Sequence, residues 1–339
     1  MEYHCAVDLH GNNGFYAVVD ETGKRVFKKR LPNRLPTVLA ALEPYRESLA
    51  GGVVVESTYN WYWLVDGLND NGVETRLANP AAVQQYDGLK EADDESDAFF
   101  LAELSRLGIL PTGNVYPKQE RPMRDLLRRR LLLVGQRTSH TLSFQNLTSR
   151  QHGIAMSCNN IRKLWPEEVN DVFDDERLIL MGQTNVEMIR FVTKRIQAIE
   201  NQILKEATLK PGYERLLTVP GIGKILGLTI MLETGDIRRF PKVGNYSSYC
   251  RCVKSSRTSN DKKKGENNRK NGNRYLSWAY IEAAQFIRRY CPEAKAWYQR
   301  KCTRSKEIVA RKALASKVCK ACYFIMRDNV EFDVKMMFG

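Results

Sequence analysis

Two short apolar runs that each end in an acid constrain this chain more than any other feature. Tyr3-His-Cys-Ala-Val-Asp8 and Gly51-Gly-Val-Val-Val-Glu56 both read as buried strands, because β-branched and apolar residues favour extended pairing. Each closes on a carboxylate where one more apolar residue would continue the run. A buried carboxylate without compensation is costly, and a hard divalent ion, which takes oxygen ligands, would compensate it. A third segment supplies more acid. Asp93-Asp94-Glu95-Ser96-Asp97-Ala-Phe-Phe-Leu-Ala-Glu-Leu104 reads as a helix start, with Asp94 and Asp97 on one face of its first turn, where acids also suit the helix dipole. Any one of Asp8, Glu56, Asp94 and Asp97 has an ordinary structural reading. Together they are what a two-metal phosphoryl-transfer site needs, with ions roughly 3.5–4 Å apart.

The rest of the chain sets the scale and the sign of what such a site would act on. At 339 residues the chain can hold two or three domains with cores of their own. No apolar run approaches the ~20 residues that span a bilayer. The start of the chain shows neither a basic n-region nor a cleavage site of the secretory kind. The eight cysteines form no disulfide framework, and a reducing, cytoplasmic setting is expected. Cys319-Lys-Ala-Cys322 reads as core packing in a helical pattern, with no second cysteine pair spaced to make a metal site. Residues 1–117 carry 10 Lys and Arg against 17 Asp and Glu, while residues 118–339 carry 43 against 22. An acidic front and a strongly basic rear suit a metal centre followed by a polyanion-binding region.

Hydrophobic periodicity divides the chain further. Residues 3–30 read as a three-stranded meander that turns at Glu21-Thr-Gly23, followed by helix, the Gly51 strand, a helix over 60–68 and a strand over 72–78. That order describes a mixed sheet with helices packed on it. From Glu120 to about Thr148 one long helix is expected, and a second from about Asn185. There Ile189, Val192, Ile196, Ile199 and Ile203 recur at 3-4-3-4 spacing, which is a coiled-coil seam about two heptads long. A packed helical hairpin and a free coiled coil both satisfy it, and either could pair subunits. Pro220-Gly-Ile-Gly223-Lys224 lies between two apolar helical stretches, like a helix-hairpin-helix turn whose glycines admit a phosphate to backbone N–H groups. A plain helix–helix turn is the other reading. Residues 250–275 hold nine Lys and Arg against two acids and read as a basic loop that reaches phosphates. Arg257, Lys262, Lys263, Lys264, Arg269 and Lys270 are its candidate contacts, and it also offers hydroxyls. Helices close the chain.

Taken as a set, these residues resemble the DEDD-type transposases of bacterial insertion sequences, the family numbered one-ten. The resemblance rests on Ala6-Val-Asp8, Val54-Val-Glu56-Ser-Thr-Tyr-Asn60, Leu77-Ala-Asn-Pro80 and Asp94-x-x-Asp97-Ala. In the rear half it rests on Val219-Pro-Gly-Ile-Gly223, Ser259-Asn-Asp-Lys-Lys-Lys-Gly265 and Lys270-Asn-Gly-Asn273. It implies an α/β ribonuclease-H-like (resolvase-like) domain over 1–117 and a helical, coiled-coil dimerisation arm over 118–210. A mostly α transposase domain would follow over 211–339, with a helix-hairpin-helix-like motif and a nucleophilic serine. It further implies Mg2+ or Mn2+ held by Asp8, Glu56, Asp94 and Asp97, and DNA as substrate. A structured guide RNA and a homo-oligomer, dimer or tetramer, are the other implied partners. Aligned back from Gly265 the serine is Ser259; aligned back from Lys270 and Gly272 its place falls on Thr258. Ser259, followed by a small polar residue and a basic run, fits the family's pattern. Glu91-Ala-Asp93 stands where the family often has basic residues and a threonine, so Asp93 competes as a ligand.

The implied reaction is DNA strand exchange through a phosphoserine link, with Ser259 as nucleophile. Two rivals come from other classes. One is a metal-dependent junction nuclease in which water attacks. The other is a non-catalytic nucleic-acid-binding scaffold.

Overall fold

The computed structural model describes residues 1–83, 93–207, 212–253, 257–259, 262–265 and 271–339. The described chain divides into two compact units, one built on Met1–Lys118, the other on Gln119–Lys264 and Gly272–Gly339.

The first unit is a mixed sheet with helices on both faces. Its elements are β1 (Tyr3–Leu9), β2 (Asn13–Asp20), β3 (Arg25–Pro32), α1 (Leu35–Leu42), β4 (Leu49–Glu56), α2 (Tyr62–Asp70), β5 (Thr75–Ala78), α3 (Pro80–Val83) and α4 (Asp94–Arg106). The strand order is β3-β2-β1-β4-β5. The meander pairs antiparallel, and β4 joins β1 in parallel with Ala6 opposite Val54 and Val7 opposite Val55. Alternation along the strands explains the two-layer core, since successive side chains point to opposite faces. Cys5, Val7, Leu9, Val53 and Val55 lie in the layer that α1 and α2 cover through Val38, Leu42, Leu64, Val65 and Leu68. Ala6, Ala17, Val19 and Val54 lie in the other, under Ala98, Phe99, Leu101 and Ala102 of α4. Small residues on that face let the helix sit close.

The second unit is almost wholly helical. It opens with a long hairpin of α5 (Arg121–His152) and α7 (Glu176–Glu206), with the short α6 (Cys158–Ile161) in the connection. Ile189, Val192, Ile196 and Ile203 are buried on α7, and α5 and α7 pack on one another. The apolar seam is therefore covered within the chain: of the two readings its periodicity allowed, the packed hairpin is the one formed. Next come α8 (Tyr213–Leu216), α9 (Lys224–Thr234) and α10 (Val243–Tyr249), then β6 (Arg257–Ser259) and β7 (Lys262–Gly265). The chain closes with α11 (Arg274–Tyr290), α12 (Pro292–Cys302), α13 (Glu307–Asp328) and α14 (Val334–Phe338). One core joins α9 to α13 through Leu228, Met231, Tyr246, Tyr280, Leu314 and Tyr323. The stretch read from its composition as a basic loop differs in one respect, because β6 and β7 pair as a two-stranded sheet.

Candidate metal centre and basic hairpin

Strand alternation delivers both strand-terminal acids to one layer. Asp8 follows Ala6 and Glu56 follows Val54 at the period of two, so both belong to the face covered by α4. The parallel register that sets Val7 beside Val55 brings Asp8 and Glu56 side by side one residue further on. The first turn of α4 then adds Asp94 and Asp97 above them. Its start is fixed locally: the Asp93 carboxylate accepts a 2.7 Å hydrogen bond from the Ser96 N–H as N-cap. That contact, largest of several, holds the Asp93 carboxyl below its usual range. Asp93, the competing ligand in the sequence, thus closes the helix end and leaves Asp94 and Asp97 to face the strands.

Asp8 is 5% exposed, and burial pushes its carboxyl above the usual range. A hydrogen bond shared with Glu56 and the nearby His10 work the other way, while the charges of Asp94 and Asp97 push it up again. Asp94 is held below its usual range, first by Arg30, whose Nη2 lies 2.6 Å from Oδ2, against some burial.

His10 is the residue that the sequence reading missed. Its Nε2 stands 3.2 Å from Asp8 Oδ2 and 3.2 Å from Asp94 Oδ1, buried and aligned for a hydrogen bond with neither. Asp8, His10 and Asp94 are, among the described residues, the one group of three or more whose ligand atoms all lie within 4.8 Å of one another. The turn that carries His10 is pinned: Asn60 Nδ2 donates to the His10 carbonyl at 2.8 Å and Asn33 Nδ2 at 3.0 Å. Arg30, which also donates to Asn13 Oδ1 at 2.9 Å, was missed too. The one signal for His10 was its place two residues beyond Asp8, on the same face at strand period. The donor set, a buried Asp8 carboxylate and a partly exposed Asp94 carboxylate with a ring nitrogen between them, fits a divalent cation.

The other expected contacts are spread over the second unit. Ser259 ends β6, and Lys262 and Lys264 lie exposed on β7; Arg269 and Lys270 fall outside the described residues. At the glycine turn, Gly221 has φ +93°, and a Cβ there would meet Phe286 Cβ at 2.5 Å and Ile287 N at 2.8 Å. That glycine answers to close packing against α11. Gly223, the N-cap of α9, faces open space beside exposed Lys224. The helix before the turn, α8, is four residues long, so the motif lacks the full first helix that the resemblance implied. Cys319 and Cys322 are fully buried core residues, and burial pushes the Cys322 thiol up to about 12. Cys250 and Cys252, remote in sequence, join Cys319 in the same core.

Comparison with known proteins finds matches in both halves of the chain. Residues 5–150 match a family model described as a transposase, and residues 213–299 match one described as the transposase IS116/IS110/IS902 family. The chain belongs to this family of insertion-sequence transposases. It is 23% identical over 282 residues to the transposase for insertion sequence element IS1111A of Coxiella burnetii, covering 80% of this chain and 74% of that one. It is 22% identical over 182 residues to an uncharacterized 43.6 kDa protein of insertion element IS110 from Streptomyces coelicolor, covering 51% of this chain and 45% of that one. Among the described residues no helix is long and apolar enough to cross a membrane.

Proposed function

We propose that the chain cuts and rejoins DNA at the ends of an insertion sequence, with Asp8, Glu56, Asp94 and Asp97 as the metal-holding site and Ser259 as the nucleophile. The observation that carries this reading is the convergence of Asp8, Glu56 and Asp94 from two strands and a helix, with His10 between two of them. The sheet order, with acids at the ends of β1 and β4 and at the start of α4, supports a ribonuclease-H-like domain. A divalent cation, Mg2+ or Mn2+, would polarise the scissile phosphate and offset the charge that develops on it.

The chain's own residues supply the rest. Asp8 and Glu56 would help to hold the cation, whose charge would offset the repulsion among the gathered carboxylates. His10, its Nε2 3.2 Å from an oxygen of each, stands between Asp8 and Asp94 as a further candidate ligand. The Ser259 hydroxyl attacks phosphorus, forming an O–P bond as the bond to the leaving strand oxygen breaks, and that oxygen takes up a proton. A hydroxyl of the joining strand reverses the step and frees the serine. Lys262, Lys263, Lys264, Arg257, Arg269 and Lys270 bind phosphates, with Gly223 and Lys224 as a second contact. The basic rear half suits a guide RNA as well as DNA, and the working form would be an oligomer in the cytoplasm.

A second reading has its own support. The acids gather entirely within the first unit, which is what a nuclease using water would need. Trapping separates the two: the reaction of element-end DNA with co-purified RNA and Mg2+ is denatured, and protein migrating with labelled DNA is sought. An adduct lost in Ser259→Ala supports strand transfer through serine. Undiminished cutting by Ser259→Ala assigns the attack to water.

A further inference from the structure

The second unit contains a buried acid that the reaction does not use. Glu233, on α9, is 1% exposed. Arg128 of α5 donates to its two oxygens, from Nε at 2.5 Å and from Nη2 at 2.7 Å, and Asn273 Nδ2 donates to Oε2 at 2.7 Å. The same Asn273 caps α11, its Oδ1 accepting from the N–H groups of Tyr275 at 2.8 Å and Leu276 at 3.1 Å. Its own N–H donates to the Tyr249 carbonyl at 2.6 Å. One turn away, the Arg251 guanidinium donates to the Gly272 carbonyl, from Nε at 3.2 Å and Nη2 at 2.9 Å. Gly272 has φ +83°, and a Cβ there would come within 2.5 Å of the Tyr249 carbonyl oxygen, so the crossing needs glycine. Arg251 itself holds φ 55°, uncommon for a residue with a side chain.

These contacts tie together the two feet of the segment that carries β6 and β7, and hang them on one carboxylate. Burial opposes the charge on Arg128, but Glu233 more than offsets it and its guanidinium is held firmly protonated. A buried ion pair of this kind contributes little net stability compared with apolar packing; its best-attested use is to fix geometry. We infer that Arg128, Glu233 and Asn273 form a clamp that sets the strand-transfer loop, with Glu233 as its positioning residue, and that the clamp joins the loop to the long helix α5. Glutamine cannot replace Glu233. The Asn273 amide must donate, because its oxygen is engaged by α11, and Arg128 only donates, so both oxygens are required. The inference rests on the reading of Ser259 as the transferring residue, and the test keeps the two apart.

The experiment uses full-length Glu233→Gln, Asn273→Ser and Ser259→Ala proteins. Asn273→Ser keeps a good helix cap but cannot reach Glu233. Three quantities are read: melting temperature, tryptic cleavage within 254–270, and adduct formation on element-end DNA at increasing DNA concentration. Tryptic cleavage reports how often the loop feet open. In Asn273→Ser and Glu233→Gln, cleavage in the loop should rise about tenfold, and the saturating rate of adduct formation should fall about 10–100-fold from misplacement of the serine. The half-saturating DNA concentration should stay within about threefold, since phosphate contacts set it. If both variants keep wild-type loop protection, or if the rate falls only in step with melting temperature, the clamp is refuted. If Ser259→Ala still cuts DNA, the serine assignment fails, and the loop protection of the other two variants alone then decides for or against the clamp.

Discussion

Asp8 and Glu56 stand at the ends of strands packed on both faces, whereas the β6–β7 hairpin stands between two feet held by Glu233 and Asn273. The first arrangement fixes its side chains through the sheet itself: register, alternation and the helix above leave each acid one place to go. The second fixes only the points where a segment leaves and rejoins the helical core. A site that must hold charges within a few ångströms of one another gains from the first kind of support. A segment that must reach along a polyanion gains from the second, which leaves Lys262 and Lys264 exposed to solvent. Function here would need both, one part rigid and acidic, the other anchored and basic.

The most severe way to break this comparison is to remove the reacting oxygen. Ser259→Ala should lower strand transfer by about 10⁴-fold or more, measured as covalent adduct, with DNA binding kept within a few fold. Thr258→Ala should be mild; if it is the dead variant instead, the nucleophile lies one residue earlier. Next is the acid site. Asp8→Asn or Glu56→Gln should reduce cleavage by about 10³-fold, as expected when transition-state charge loses its stabilisation, while filter binding to DNA changes little. Near wild-type recombination by either variant would remove the metal-site reading.

The third test concerns the hairpin of α5 and α7. Ile196 is 4% exposed within the chain, so Ile196→Glu buries an unpaired charge. It should cost about 3 kcal/mol or more of folding stability, seen as a lower urea midpoint. Unchanged stability with a fall in mass by light scattering would instead place this seam between subunits. The smallest effect is expected at the start of α4. Asp93→Ala loses one cap, about 1 kcal/mol, and should leave metal-dependent cleavage near the wild-type rate. Loss of cleavage equal to that of Asp94→Asn would make Asp93 a ligand after all.

Much of the sheet was readable in the sequence because its signals are local. An apolar run, a turn pair or a glycine acts over a few residues, so β1 to β4, α1, α2 and α5 fall close to their expected places, whereas α7 begins at Glu176, ahead of the Asn185 where its apolar periodicity becomes regular. Asp8 and Glu56 were visible for the same reason, since an acid that closes an apolar run is anomalous within its own window, and Asp94 and Asp97 showed as a pair three apart at a helix start. Contacts that depend on segments far apart left no such mark. His10 shows in the sequence only as a turn histidine two residues beyond Asp8, and the fold of β1, α4 and the Asn33 and Asn60 side chains sets it between Asp8 and Asp94. Gly221 reads as a phosphate turn until Phe286 is seen against it. Glu233 sits in an apolar helical stretch as one more acid, and its meaning comes from Arg128, 105 residues earlier, and Asn273, 40 residues later. The sequence by itself determined which residues could not be buried without a partner. Tertiary structure alone decided which partners they found, because that choice depends on distances between elements that chain order does not specify.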